Sequence, residues 1–297
     1  MTTTQRLSRR EWAAGIGSAF VLPQLAAAKD PIKVLLIDGQ NNHAWAKTSP
    51  VLKQLLEDTK MFTVDVLTSP PKKGDFSTFK PEFSKYKVVV SNYNGDSWPA
   101  DVNAAFEKFV KDGGGLVSYH AADNAFPEWV EFNKMIAIGG WGNRDEKAGP
   151  YYYMHDGKMV HDPKPGRAGN HGARLPFKVV VRDPKHPIMK GMPAEWMHAA
   201  DELYSKLRGP GENVTVMGTA FSDVSNKGTG EDEPMLMTIP YGKGRVFHTT
   251  LGHDVEAMKC VGFIVTLQRG TEWAATGKVT QKLPTDFPTA DKVSTRG

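Results

Sequence analysis

The sequence predicts an α/β protein built on a mostly parallel sheet flanked by helices. Three observations support this. Short runs of Val, Ile and Leu alternate with stretches whose apolar residues recur at the helical period, the pattern of βα units. At 40% hydrophobic and 24% charged over 297 residues, the chain has the balance of a globular protein with one sizeable core. No internal repeat divides it, so residues 29–277 are expected to form a single domain.

The first 28 residues stand apart. Arg9 and Arg10 in SRREW precede an apolar run at 13–25, and three alanines at 26–28 offer a small-residue cleavage site. This is the layout of a twin-arginine export signal, which places the mature chain in the periplasm. The run is broken by Gly15, Gly17 and Pro23 and is too short to span a bilayer, so no membrane anchor is expected after cleavage. Removing the segment takes three arginines and one glutamate, and the formal charge falls from +4 to +2. No basic run or one-sided basic helix remains to suggest a nucleic-acid partner. Cys260 is the only cysteine, so no internal disulfide can form.

The first strand is IKVLLI, residues 32–37. Ser49 is positioned to cap a helix with Pro50 at its first position and Val51, Leu52, Leu55 and Leu56 on one face. FTVDVL (62–67) and VVVS (88–91) read as strands, joined by a surface connection at 69–81 rich in Pro, Lys and Gly. A helix follows Pro99, with Val102, Phe106, Phe109 and Val110 facing a sheet and Gly113 as its left-handed stop. Residues 116–119 form a buried strand. Residues 139–175 then lose periodicity and read as a long aromatic-rich insertion, a length usual for functional loops. Strands resume at 177–181, 214–220, 235–241 and 245–250, the last two joined by a tight hairpin at 241–244. A final helix is expected over 255–267, and residues 278–297 form a polar, loosely held tail.

Open parallel sheets bind ligands at the carboxyl ends of their strands. His43 in DGQNNHAW, His120 and Asp123 in YHAAD, and His253 and Asp254 in TTLGHD each follow a different strand, so the topology brings them to one edge. Two chemistries are open. His43, His120 and His253 could hold a divalent metal such as zinc with one position free. Alternatively, His120 and His253 could move protons, with Asp123 or Asp254 orienting a ring. The metal is favoured, because three crowded imidazoles without a cation repel when protonated. His155, His161 and His171 read as solvated parts of the insertion, His186 as a turn residue and His248 as a strand residue. Ser118 lies inside a buried strand without a G-x-S-x-G turn and makes a poor nucleophile.

Taken in order, DGQNNHAW, GGGLVSYHAAD, HPIMKGMP, ADELY, GKGRVFHTTLGHD and RGTEWAATG resemble the ThuA-like family, named for trehalose utilisation, over residues 32–277. The resemblance implies a flavodoxin-like sheet similar to class I glutamine amidotransferases, whose strand-to-helix elbow carries a cysteine. Here the elbow reads Ser118-Tyr119-His120-Ala121-Ala122, and Cys260 is expected in mid-helix, so glutamine hydrolysis through a thiolate is not expected.

The resemblance also implies sugar catabolism, including routes through 3-keto-glycosides, with a small-molecule sugar substrate and no nucleotide cofactor. On that reading Trp141, Tyr151, Tyr152 and Tyr153 stack on a pyranose. Asn41, Asn42, Asp201 and Glu202 bond its hydroxyls, and Asp123 or Glu202 moves a proton. Trp196 and Trp273 read as core. The expected function is an exported lyase, hydrolase or isomerase acting on a glycoside or keto-sugar with a metal's help. A non-catalytic carbohydrate-binding module is the alternative; it would need the aromatics but not the convergent histidines.

Overall fold

The computed structural model describes residues 1–3 and 30–297. The arginine pair, apolar run and alanines on which the export signal rests lie outside them. Among the described residues, eleven strands join one sheet. They are β1 (Ile32–Asp38), β2 (Phe62–Thr68), β3 (Val88–Ser91), β4 (Gly115–Tyr119), β5 (Tyr151–His155), β6 (Lys158–Asp162), β7 (Leu175–Val181), β8 (Glu195–Asp201), β9 (Thr215–Phe221), β10 (Asp232–Tyr241) and β11 (Gly244–Thr249). Four α-helices accompany them: α1 (Trp45–Glu57), α2 (Ala100–Lys111), α3 (Val130–Ile136) and α4 (Val261–Thr276).

The spatial order is β2-β1-β3-β4-β11-β10-β9-β7-β8. The first five strands are parallel, a flavodoxin-like half that reverses direction of travel at β1 and β3. Beyond β11 the sheet continues antiparallel. The inner parallel strands β1, β3, β4 and β11 are buried on both faces, which is why they read as apolar runs, whereas the edge strand β2 alternates buried and exposed residues. Val34, Leu36, Val88, Val90 and Val117 pack on one side with α1 and α4. Leu35, Ile37, Val89 and Leu116 pack on the other with α2 and α3.

Several expectations are corrected. Helix α1 begins at Trp45, and Pro50 is its sixth residue instead of its first. Thr48 and Ser49 turn inward, where each hydroxyl accepts from the Asn92 amide at 3.0 Å. Helix α4 starts later and runs further than expected, continuing through Gly270, where packing requires a residue without a side chain: a Cβ there would lie 2.1 Å from the Phe247 ring. Cys260 is therefore not mid-helix but immediately precedes α4, fully buried. The insertion contains the β5–β6 hairpin, attached to β10 through Met154 and Asp232.

The tail is not loosely held. Its Val279, Leu283, Phe287 and Val293 pack against the core, and Thr289 O accepts from Met197 N at 2.8 Å, which covers part of the edge strand β8. Among the described residues, no helix is long and apolar enough to cross a membrane.

Candidate active site

The carboxyl edge of the parallel half carries the site. His43 follows β1, in a loop held by Asn41, whose Oδ1 accepts from His43 N at 3.0 Å and whose amide donates to Asn92 Oδ1 at 3.1 Å. His120 sits at the elbow after β4 with φ +45°, a strained conformation for a residue with a Cβ. Its Nδ1 lies 2.6 Å from Thr250 O at the end of β11. A carbonyl only accepts, so Nδ1 carries hydrogen and Nε2 is turned toward the cleft, 2.9 Å from the Tyr204 hydroxyl and 3.1 Å from His43 Nε2.

Glu202, just past β8, is the centre of the cluster. Its carboxylate lies 3.2 Å from His253 Nε2, 3.5 Å from His43 Nε2, 3.7 Å from His120 Nε2 and 3.8 Å from His171 Nε2. Asp201 keeps these parts in register. Its Oδ1 accepts from Glu202 N at 2.8 Å and His253 N at 3.0 Å, and its Oδ2 accepts from Gly252 N at 2.6 Å. Behind it His198 Nε2 lies 2.7 Å from Oδ2. Burial opposes charge on His198, but Cys260 and Asp201 more than offset that and push it up to about 10, leaving Asp201 with a buried counter-charge.

Burial, with His120 and His253 adding to it, lowers His43 to about 4, so its lone pair is free at neutral pH. Burial would raise Glu202, yet His120, His253 and His171 hold it below the usual carboxylate range. Burial raises the Tyr204 hydroxyl far above its ordinary value, so it keeps its proton.

The donor atoms of His43, Glu202 and His253 all lie within 4.8 Å of one another. A tetrahedral zinc with bonds of about 2.0–2.2 Å separates neighbouring ligand atoms by about 3.3–3.6 Å. The His43–Glu202 and His253–Glu202 separations are close to that range, and Glu202 Oε2 has no hydrogen-bond partner among the described residues. The residues fit a divalent cation, with Glu202 in the place expected for His120.

The cleft in front of them measures about 540 Å³ and is walled by Asn42, Asn94, Trp141, His171 and Tyr204. Arg144 fixes Trp141's loop: its buried guanidinium donates to Asn124 O and Gly140 O at 3.0 Å and to Ala125 O at 2.6 Å.

Of the residues expected here, the structure brings together His43, His120, His253, Glu202, Asn42 and Trp141. Asn41 and Asp201 stand behind the site as supports, their polar atoms taken by the protein. Three further residues, Asp123, Tyr152 and Tyr151, do not take their expected places. Asp123 is tucked under the elbow by the turn that starts at His120, fully buried with Oδ2 3.5 Å from His248 Nε2. Tyr152 is buried, its ring 4.4 Å from His161 and its hydroxyl bonded to Pro210 O, because β5 alternates inward at that position. Tyr151 bonds Glu233, beneath the hairpin.

Sequence reasoning missed His171, an exposed residue that the insertion brings to the cleft, and Tyr204. The latter had a signal: it lies two residues from Glu202 in an extended segment, hence on the same side.

A family model described as trehalose utilisation, ThuA, matches residues 33–274. A solved ThuA-like protein from Parabacteroides merdae is 52% identical, with a TM-score of 0.88 over 90% of this chain and 98% of its own. One from Bacteroides uniformis is 21% identical, with a TM-score of 0.57 over 87% of this chain and 97% of its own, a likeness of fold. No curated protein matches the sequence.

Proposed function

The chain belongs to the ThuA family of trehalose utilisation, and on that premise we propose that it is an exported enzyme acting on a glycoside or keto-sugar. In this reading His43, Glu202 and His253 hold a divalent cation, and His120 moves the proton. The observation that carries it is one carboxylate facing four imidazole nitrogens at 3.2–3.8 Å on a sheet's carboxyl edge. A binding module would use Trp141 and the amides, but it has no use for that cluster.

A cation there would polarise a sugar oxygen or lower the pKa of a bound water. The chain's own residues supply the rest. Trp141 walls the cleft beside Tyr204 and offers a face to the ring. His120 Nε2 is the atom placed to take a proton, with the Tyr204 hydroxyl beside it. In a 3-keto-glycoside the carbonyl acidifies the hydrogen on C2. His120 would take that proton, the C–H pair would form the C1–C2 double bond, and the C1–O bond to the leaving group would break. The proton would then return to the leaving oxygen. Addition of water across the double bond would make the net reaction a hydrolysis.

The test is elemental analysis of the purified protein together with turnover of a 3-keto-glucoside. Wild type is expected to carry one equivalent of divalent metal, and Glu202→Ala to lose metal and turnover together. Full turnover in chelator-treated protein that takes up no metal on reloading would refute the metal-assisted reading.

A further inference from the structure

A second cavity of about 510 Å³ adjoins the active-site cleft, and Asn42 and Asn94 line both. Asn94 Nδ2 donates to Asn42 Oδ1 at 2.6 Å, so this amide pair stands between the two spaces. We propose that this cavity is a subsite for the second ring of a neutral glycoside, which rests on the sugar-processing reading above and extends it to a substrate of two rings.

The cavity is built before any ligand arrives. The loops after β1, β2 and β3 meet there, and Gln40, buried, ties them together. Its Nε2 donates to Pro70 O at 2.7 Å, its Oε1 accepts from Asp96 N at 2.9 Å, and its backbone carbonyl accepts from Asn94 N at 2.8 Å. Gly95 closes against it, since a Cβ there would lie 2.3 Å from Gln40 Cβ. A wall fixed this way loses little freedom on binding.

The lining is suited to hydroxyl groups. Trp45, half-buried at the start of α1, lines the cavity. Trp98, Trp129, Trp141, Trp196 and Trp273 each pack against another ring, whereas Trp45 has no ring partner among the described residues. Its indole N–H, Asn42 Nδ2, Asn94 Oδ1 and Lys72 Nζ make no hydrogen bond to the described protein, so donors and an acceptor stand beside an aromatic side chain that lines the cavity. Sugar rings need that combination, apolar C–H faces against an aromatic and hydroxyls that both give and take hydrogen bonds. Lys72 and Asp96 offset each other in charge, which favours a neutral polyol over a phosphate or nucleotide.

The test compares methyl α-glucoside, one ring, with trehalose, two rings, by ligand-observed NMR titration of the full folded protein. Trehalose is expected to bind about tenfold tighter, a gain of the size one ring–aromatic contact gives. Trp45→Ala should abolish the gain while leaving methyl α-glucoside affinity unchanged, and Trp45→Phe should restore part of it. Thermal melts check that both variants fold. Equal affinity for the two probes, or a gap untouched by Trp45→Ala, overturns the subsite and leaves the sugar reading standing. Binding of neither probe overturns both.

Discussion

His43 and His120 meet nitrogen to nitrogen, Nε2 to Nε2 at 3.1 Å. Two lone pairs at that distance repel, so a proton or a cation lies between the rings or beside them. Thr250 O already takes the Nδ1 hydrogen of His120, which leaves that ring's cleft-facing nitrogen to share a proton with Tyr204, while His43 and Glu202 face the proposed cation position.

The two histidines should therefore separate by substitution. His43→Ala should lose bound metal. His120→Ala should retain metal and stay folded, but lose turnover by about 10²–10⁴-fold, the usual worth of a positioned acid/base. Metal analysis and kinetics on the same preparations decide it; full turnover in His120→Ala contradicts the assignment.

Asp201→Ala should unfold more readily by about 3–5 kcal/mol, because it strands a buried imidazolium on His198 and three backbone donors. Denaturant titration measures this. Metal affinity should fall with it even below the unfolding transition, since Glu202 and His253 lose their common anchor. Unchanged affinity would show that the two loops hold their register without it.

Glu233 supplies a pH dependence away from the site. Burial pushes its carboxyl from 4.5 up to about 8, although the Thr229 and Tyr151 hydroxyls donate to it. A folded pKa raised above the unfolded one gives stability that is complete below about 4.5 and is lost as pH rises through about 8. Thermal melts from pH 4.5 to 9 should show that decline in wild type and a flatter profile in Glu233→Gln. Parallel profiles would mean that Glu233 is ionised throughout.

Gly270→Ala should destabilise by about 1–3 kcal/mol, the usual cost of overpacking, since the added methyl meets Phe247. Neutral melting would show that α4 can shift away from β11.

Replacing Arg9 and Arg10 with lysines should leave uncleaved precursor in the cytoplasm. Normal periplasmic accumulation of that variant, seen by fractionation, would rule out the twin-arginine route.

The parallel half of the sheet was legible in the sequence because its inner strands are buried on both faces and its edge strand β2 alternates, so local composition alone marks them. For the same reason the edge that carries His43, His120 and His253 could be named from order along the chain. The family resemblance, borne by six short motifs, is likewise a property of the sequence and is matched by the family model.

Other features depended on contacts between residues far apart in the chain. Helix α4 runs on through Gly270, a residue that the Phe247 ring requires and helix propensity disfavours. The tail looks polar, yet Leu283 and Phe287 anchor it to the core. Glu202 and His171 come from an antiparallel half and an insertion whose course no local period describes. Only tertiary structure could decide that the carboxylate ends among four imidazoles while Asp123 and Tyr152 turn inward, because side-chain direction at the end of a strand is set by what packs behind it.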